Sequence, residues 1–119
     1  MAVTHPTATR NGIADYIVDQ LNSGSIEFQT SGDVEVATTV FGATAFGAAA
    51  SGVATANAIT DDSSATGGVT TKAELQTSGS TPIVLCAVGT SGSDINLSST
   101  TVGAGDTVSI SSLTYTAPA

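Results

Sequence analysis

The sequence holds few side chains of the kinds that catalyse reactions or bind metals. His5 is the only histidine and Cys86 the only cysteine. A Ser-His-Asp triad would need His5, and no Gly-x-Ser-x-Gly turn presents a serine to it. A structural zinc site needs four His or Cys ligands. We therefore expect no enzymatic activity, no catalytic residue, no metal and no cofactor, and we interpret His5 as a surface residue.

Cys86 lies in the uncharged run PIVLCAV, residues 82–88. Such a setting is typical of a small buried side chain rather than of a nucleophile. A single cysteine forms no intrachain disulfide, so nothing indicates an oxidising compartment.

Two loops carry residue types found at ion sites. Residues 61–64, Asp-Asp-Ser-Ser, offer oxygen ligands but lack the spaced carboxylates and distal glutamate of a calcium loop. The glycines at 67, 68, 103 and 105 lack the Lys-Ser/Thr pair of a phosphate-binding loop. We interpret both sets as turn residues.

The low content of charged residues and the negative net charge limit the kinds of partner that the protein can bind. Only 10% of the 119 residues are charged, and ten acids against Arg10 and Lys72 give a net charge of −8. Nucleic acids and anionic membranes attract clustered Lys and Arg, so we expect neither as a partner. The uncharged stretch 40–59 is too polar and too rich in glycine for a membrane span. Because MAVTHPTATR lacks the features of a secretion signal, we expect synthesis and assembly in a cytoplasm.

The first 24 residues are predicted to form an arm and one amphipathic helix over about residues 6–22. Pro6 suits the first turn of a helix, and Gly24 is well placed to end it. The apolar residues at helical spacing are Ile13, Tyr16, Ile17 and Leu21.

Residues 25–119 have the alternating pattern of β-strands. SIEFQT (25–30) and DVEVATTV (33–40) flank the turn residues SGD, which predicts a hairpin. The alternation places Ile26 and Phe28 of the first strand in the core. From the second strand it places Val34, Val36 and Val40 there.

Further strands are predicted along the rest of the chain. A loop over 42–52, anchored by Phe41 and Phe46, precedes strands at 52–60 and 69–76. PIVLCAVG (82–89) is apolar on both faces, as a central strand is. Ile95 and Leu97 are expected to face inward. Seven short strands at this spacing predict a mainly β domain, an antiparallel β-sandwich.

In the last strand, the apolar residues expected to face inward change from even-numbered to odd-numbered positions. Val108 and Ile110 lie on one parity and Leu113 and Tyr115 on the other, which predicts a bulge near residues 111–112. An open strand edge is a template for another chain, so we expect a partner to cover this dry strand.

Three stretches resemble a group of small virion structural proteins of tailed bacteriophages. They are THPTATRNGIADYIVDQLNSGSIEFQTSGDVEVA (4–37), AFGAAASGVATANAITDD (45–62) and VGAGDTVSISSLTYTAPA (102–119). Proteins of that group begin with a short helical segment and end in a Thr-Val-Ser-Ile-Thr-Ser type of strand followed by Tyr-Thr-Ala. The resemblance covers nearly the whole chain and brings no catalytic residue with it. It implies a capsid decoration, or cement, protein that binds the major capsid protein, as a homo-oligomer such as a trimer.

Two segments are expected to contact such a partner, residues 3–21 and 113–119. The side chains proposed for the contacts are Ile13, Tyr16, Ile17, Leu21, Leu113, Tyr115 and Pro118. Core packing within one subunit is the alternative for each of them.

Other functions remain open at this point. A neck or tail component, such as a tail-tube, tail-tip or collar protein, fits the same resemblance. A head fibre or host-binding adhesin is disfavoured, because glycan sites usually stack sugars on aromatic rings and the chain has no tryptophan. A hydrolase is disfavoured by the single histidine and the scattered carboxylates.

Overall fold

The structure, a computed structural model, describes residues 3–118. Within that range the chain is mainly β, with one helix and ten short strands. The elements are α1 (Thr7–Asp19), β1 (Ser25–Gln29), β2 (Glu35–Phe41), β3 (Val53–Thr55), β4 (Ile59–Thr60), β5 (Gly68–Val69), β6 (Lys72–Gln76), β7 (Pro82–Gly89), β8 (Ile95–Asn96), β9 (Thr101–Val102) and β10 (Thr114–Thr116).

Six of these strands form one curled, mixed sheet in the order β4-β2-β1-β6-β7-β8. Two small antiparallel pairs, β10-β3 and β5-β9, complete the strand pairing of residues 3–118. All neighbours in the large sheet are antiparallel except β7 and β8, which are parallel. The mainly β class is thus confirmed, and a seven-stranded antiparallel sandwich is not.

Two of the predicted strands are each divided into two, because adjacent backbone groups bond to different parts of the fold. The Thr70 N–H donates to the Thr100 carbonyl at 2.9 Å, whereas the Thr71 N–H donates to the Gln29 carbonyl at 3.1 Å. The chain therefore passes from β5 to β6 and changes sheets there. Residues 56–58 divide β3 from β4 in the same way, and the Asn57 N–H bonds to the Ala45 carbonyl at 2.9 Å.

The predicted hairpin is confirmed in β1 and β2, which pair in antiparallel fashion around residues 30–34. Ile26 and Phe28 are fully buried, as expected, and face Leu75 and Ala73 of β6. The centre of the sheet therefore packs aliphatic and aromatic side chains on its inner face.

The inward residues of β2 were predicted incorrectly at two positions. Phe28 lies opposite Ala37 but Gln29 lies opposite Glu35, so one extra residue forms a bulge in β2. Val36 is buried on one side of the bulge, and beyond it the buried parity shifts to Ala37, Thr39 and Phe41. Val40 is consequently exposed, and Val34 is exposed because it lies in the β1–β2 turn, before β2 begins.

The helix is confirmed, but its buried face differs from the predicted one. Ala14 and Val18 are buried, and Leu21, just after the helix, is buried with them. Tyr16 lies on the opposite side with 70% of its surface exposed. The small side chain of Ala14 lets α1 approach β3, where Ala54 is also fully buried. The buried face of the helix is therefore centred on Ala14 and Val18, with Ile13 and Ile17 half-buried beside it.

The loop over 42–52 is confirmed, and both of its predicted anchors are buried. The rings of Phe41 and Phe46 lie 5.6 Å apart between centroids and are tilted by 47°. This is a favourable tilted arrangement of an aromatic pair, and it fixes a loop that is otherwise built of small residues.

The prediction of a central strand at 82–89 is confirmed only in part, since β7 lies between β6 and β8 in the sheet order. β7 pairs with β6 along most of its length, but with β8 only at Val88 and Gly89. The face of β7 that carries Leu85 and Ala87 is uncovered, and Leu85 is 74% exposed. Ile95 and Leu97, which follow β7, are buried as expected.

The predicted change of parity near residues 111–112 is confirmed by the burial of Val108, Ile110 and Leu113. The chain does not run there as one long strand, because only Thr114–Thr116 form β10. Val108 instead exchanges backbone hydrogen bonds with Asp62, at 2.7 and 3.0 Å.

Candidate binding groove

The helical residues predicted to contact a partner differ in their exposure. Leu21 is fully buried in the core of its own chain, and Ile13 and Ile17 are half-buried. Tyr16 is the member of this set that projects into solvent.

The C-terminal residues of the set are similarly divided. Leu113 is buried, and Tyr115 is half-buried against the core. Pro118 is exposed, and Ala119, the last residue of the predicted contact segment, lies outside the described residues. Leu113 thus packs in the core, while Pro118 is accessible to a partner.

Side chains of α1 hold the C-terminal segment beside the helix. The Arg10 guanidinium donates to the carbonyls of Pro118, at 3.3 Å, and Ala117, at 3.4 Å. The Ala117 N–H donates to the Gly52 carbonyl at 2.8 Å, and the Gly52 N–H donates to Asn11 Oδ1 at 2.8 Å. The two segments predicted to contact a partner therefore lie side by side.

One side of the large sheet is closed by the chain itself. β4 pairs with Val40 and Phe41 at one end of β2. Along the rest of β2, Asp62 Oδ2 accepts the Thr38 N–H at 2.8 Å, and the Val36 carbonyl accepts the Gly67 N–H at 3.1 Å. The loop over 61–67 thus covers this edge, which is a common protection against strand addition.

The other side of the sheet is open along part of β7. The Val88 N–H donates to the Thr71 carbonyl at 3.1 Å, while the Ala87 N–H points the other way and donates to Asp94 Oδ2 at 2.9 Å. Backbone groups alternate along a strand, so the N–H and C=O of Leu85 also point away from β6. Within residues 3–118, β8 begins too far along β7 to pair with them.

β10 also has an unpaired edge. The Leu113 carbonyl accepts the Ala56 N–H at 2.8 Å, and the Ala117 N–H donates to the carbonyl of Gly52, just before β3. The same alternation turns the backbone groups of Thr114 and Thr116 away from β3. Among the described strands, β10 pairs with β3 alone.

A groove lies between these two edges. It has a volume of about 400 Å³ and is lined by β6 to β8 and the final strand: Leu75, Val84, Leu85, Cys86, Ser93, Asp94, Leu113, Thr114, Tyr115 and Thr116. A second cavity of about 270 Å³ continues along residues 111–114 and 93–96. We call this combined depression the β7/β10 groove. A separate, smaller cavity of about 210 Å³ lies near β9.

The accessible lining of the β7/β10 groove is mostly polar, with a few apolar side chains at its base and one charge at its rim. Leu75 and Leu113 are buried, and burial raises the pKa of the Cys86 thiol to about 11, with the nearby Asp94 carboxylate adding to the effect. A thiol with that pKa is protonated at neutral pH, so Cys86 acts as a small apolar side chain and not as a nucleophile. Asp94 is the charged residue among those that line the groove.

The described residues place no set of catalytic groups in this groove. His5 lies in the segment before α1, far along the chain from Cys86. Residues 3–118 contain no cluster of three or more His, Cys, Asp or Glu side chains arranged to hold a metal ion. In the same range, the single helix is too short and too polar to cross a membrane.

Comparison with known protein families, with curated proteins and with solved structures finds no match to this chain.

The sequence predicted the edge of the final strand but not the open edge of β7. The uncharged, alternating residues of the final strand indicated an edge to be covered. The run PIVLCAV indicated a central strand, which concealed the exposure of Leu85. The capping of Ala87 by Asp94 joins residues from β7 and the following loop, and no local pattern of the sequence signals it.

Proposed function

We propose that this protein is a non-enzymatic structural component of a tailed-bacteriophage virion, a decoration (cement) protein on the outer surface of the capsid. Its partner is the major capsid protein, and several copies, such as a trimer, assemble on the shell. It is made in the host cytoplasm and acts on the virion. Binding to the assembled shell but not to dissociated subunits stabilises the shell by linkage.

The β7/β10 groove is the observation that carries this proposal. Leu85 on one wall and Thr114 and Thr116 on the other have backbone groups directed away from their paired strands. An unpaired strand edge is a template for another polypeptide chain, which is the kind of contact that a structural protein makes. The location on a virion is supported by the resemblance of the sequence to virion proteins.

The neighbouring helix and tail support the same interpretation. Tyr16 and Pro118 are exposed on segments that Arg10 holds together. Exposed aromatic residues are enriched at the centres of protein interfaces. A contact surface could therefore extend from the groove across the tail to the helix.

A neck or tail component is the second candidate. The open edges favour it equally, since an unpaired strand edge can join subunits of a tail as well as of a shell. A tail-tube protein would form rings or tubes by itself, whereas a decoration protein assembles on a shell.

Cryo-electron microscopy of purified particles from the source tests the proposal. We expect density for this chain on the outer capsid lattice, where it bridges capsid subunits. Density confined to the neck or tail would refute the decoration role and favour the second candidate. Absence of the chain from washed particles, shown by mass spectrometry, would refute both.

A further inference from the structure

We propose that the β7/β10 groove binds an extended, basic segment of a different polypeptide, which adds as a β-strand beside β7 or β10. The segment places an aliphatic side chain against Val84, Cys86 and Tyr115 and a Lys or Arg beside Asp94. That this polypeptide is the capsid subunit rests on the proposed function. The chemistry of the segment rests on the groove itself.

The backbone of the groove defines the shape of the ligand. Leu85 offers one N–H and one C=O from β7, and Thr114 and Thr116 offer two of each from β10. Donors and acceptors that alternate along a strand are matched by another extended chain. A compact small molecule matches only one or two of them, although a volume of about 400 Å³ would admit one.

The floor of the groove defines the side chain that enters it. Leu75 and Leu113 form its buried base, and Val84, Cys86 and Tyr115 are half-buried around them. Successive side chains of a bound strand point to opposite faces, so every second residue would enter the groove. An aliphatic residue there would cover the apolar surface that the half-buried Val84, Cys86 and Tyr115 leave accessible.

Charge defines the kind of partner. Asp94 is exposed at the rim, and both cations of the sequence are engaged elsewhere: Lys72 forms an ion pair with Asp33, and Arg10 bonds to the C-terminal carbonyls. A second copy of this chain would add another net charge of −8 and the same two cations. A segment with Lys or Arg of its own is complementary to Asp94 and is attracted by the whole molecule.

Titration of the ¹⁵N-labelled full chain with synthetic peptides tests this inference. The first probe is acetyl-Lys-Val-Thr-Val-Thr-Val-Lys-amide. The second has Glu in place of both Lys residues, and the third has Pro in place of the central Val, which interrupts the strand and removes an N–H. NMR reports the amide shifts of Leu85, Thr114 and Thr116, and hydrogen exchange reports their protection.

We expect the lysine peptide to shift and protect those amides with a Kd of about 1 mM or lower, as befits a short exposed segment. The glutamate and proline peptides should bind at least about tenfold more weakly. Equal binding of all three, or shifts confined to other regions, would overturn the inference. So would an absence of shifts up to about 5 mM of the lysine peptide.

Two pairs of variants distinguish binding in the groove from non-specific electrostatic and hydrophobic binding. Asp94→Asn keeps an oxygen that can accept the Ala87 N–H and should weaken the lysine peptide about fivefold. Asp61→Asn makes the same change of charge beside β4, at the opposite side of the sheet, and should leave binding unchanged. If both variants weaken binding equally, Asp94 has no specific role and the inference is wrong.

Leu85→Ser should weaken binding about fivefold, whereas Val34→Ser removes a similarly exposed aliphatic side chain from the β1–β2 turn and should not. Thermal unfolding of each variant verifies that it folds. A folded Leu85→Ser protein that binds the lysine peptide as well as wild type would contradict the placement of the segment on β7.

The same particles used to test the function distinguish the two proposals. A chain on the shell whose groove contains a strand of the capsid subunit supports both. A chain on the shell with an empty groove, or with a second copy in it, overturns the inference and leaves the function intact. Peptide binding by a chain that is absent from the shell overturns the function alone.

Discussion

Replacement of Gly24 by alanine is expected to destabilise this fold strongly. Gly24 lies where the chain leaves the turn after α1 and enters β1. A Cβ at this position would overlap the carbonyl oxygen of Gln76 in β6 and would lie 2.9 Å from the carbonyl oxygen of Leu21. Both obstacles are backbone atoms, so no side-chain rotation can relieve the overlap.

The surroundings of Gly24 prevent an easy shift. Its N–H donates to the Leu21 carbonyl at 2.8 Å, and its own carbonyl accepts the Phe41 N–H at 2.9 Å. Moving it would disturb β2 and β6 together. Overpacking of a core costs roughly 1–3 kcal/mol, and a backbone overlap belongs at the upper end, so we expect a loss of about 3 kcal/mol. For a chain of this size, that lowers Tm by about 12 °C.

Gly12→Ala is the matched control. Gly12 is exposed inside α1, and a Cβ there meets no atom within 4 Å. Alanine is the better helix former by about 0.5–1 kcal/mol, so this variant should raise Tm by a few degrees, about 2–4 °C. Circular dichroism during thermal and urea unfolding measures both variants. A Gly24→Ala protein within about 0.5 kcal/mol of wild type would refute the close approach of the turn and β6.

Three side chains, Cys86, Thr39 and Arg10, give four further predictions. Because burial raises the pKa of Cys86 to about 11, its thiol at pH 8 should react with a thiol-specific disulfide reagent about 100-fold more slowly than in the urea-unfolded chain; equal rates would contradict its burial. The stability linked to this neutral thiol should be present below pH 9 and lost as the pH rises through about 11, which urea unfolding at several pH values measures. Thr39→Val should raise the free energy of unfolding by about 1 kcal/mol, because the buried Thr39 hydroxyl has no hydrogen-bond partner among the described residues, whereas Thr39→Ser should lower it. Arg10→Met should cost about 0.5 kcal/mol and speed exchange of the Ala117 amide, and unchanged exchange would show that Arg10 does not hold the tail.

The parts of the fold that were predictable depend on short-range patterns. The β1–β2 hairpin follows from two alternating runs around Ser-Gly-Asp, and the loop over 42–52 follows from small residues between two phenylalanines. The change of parity at residues 111–112 is also visible locally. Each of these features needs only residues within about ten positions of one another.

The features that were missed depend on distant partners. The bulge at Val36 arises from the register between β1 and β2, and it decides that Val40 faces solvent. The division at Thr70 and Thr71 arises because one N–H meets Thr100 and the next meets Gln29. Helical periodicity did not predict that Ala14 would be buried in preference to Tyr16, since the close approach of β3 decides it.

The same distinction between local patterns and distant partners applies to the groove. An edge on the final strand could be inferred from its composition, since uncharged β-branched residues suit a covered strand. The opposite wall could not, because an apolar run is equally compatible with burial in a sheet and with contact to a partner. The opening of the backbone edge at Leu85 depends on how far β8 extends, which two residues of pairing determine.

The open edge of β7 raises the question of why copies of this chain would not pair with one another through it. The exposed stretch is short, because Asp94 occupies the Ala87 N–H at one end and the register between β6 and β7 shifts near Pro82 at the other. Two copies, each with a net charge of −8, would also repel one another wherever their charges come within the screening distance of about 10 Å in 0.1 M salt. A basic segment meets neither obstacle, since it is attracted by the same charge and is narrow enough to enter beside Leu85. Specificity at this edge therefore comes as much from repulsion of the chain's own copies as from attraction of the partner. Addition of salt should consequently strengthen any self-association while it weakens binding of the lysine peptide, and a change of the same sign in both would contradict this electrostatic account.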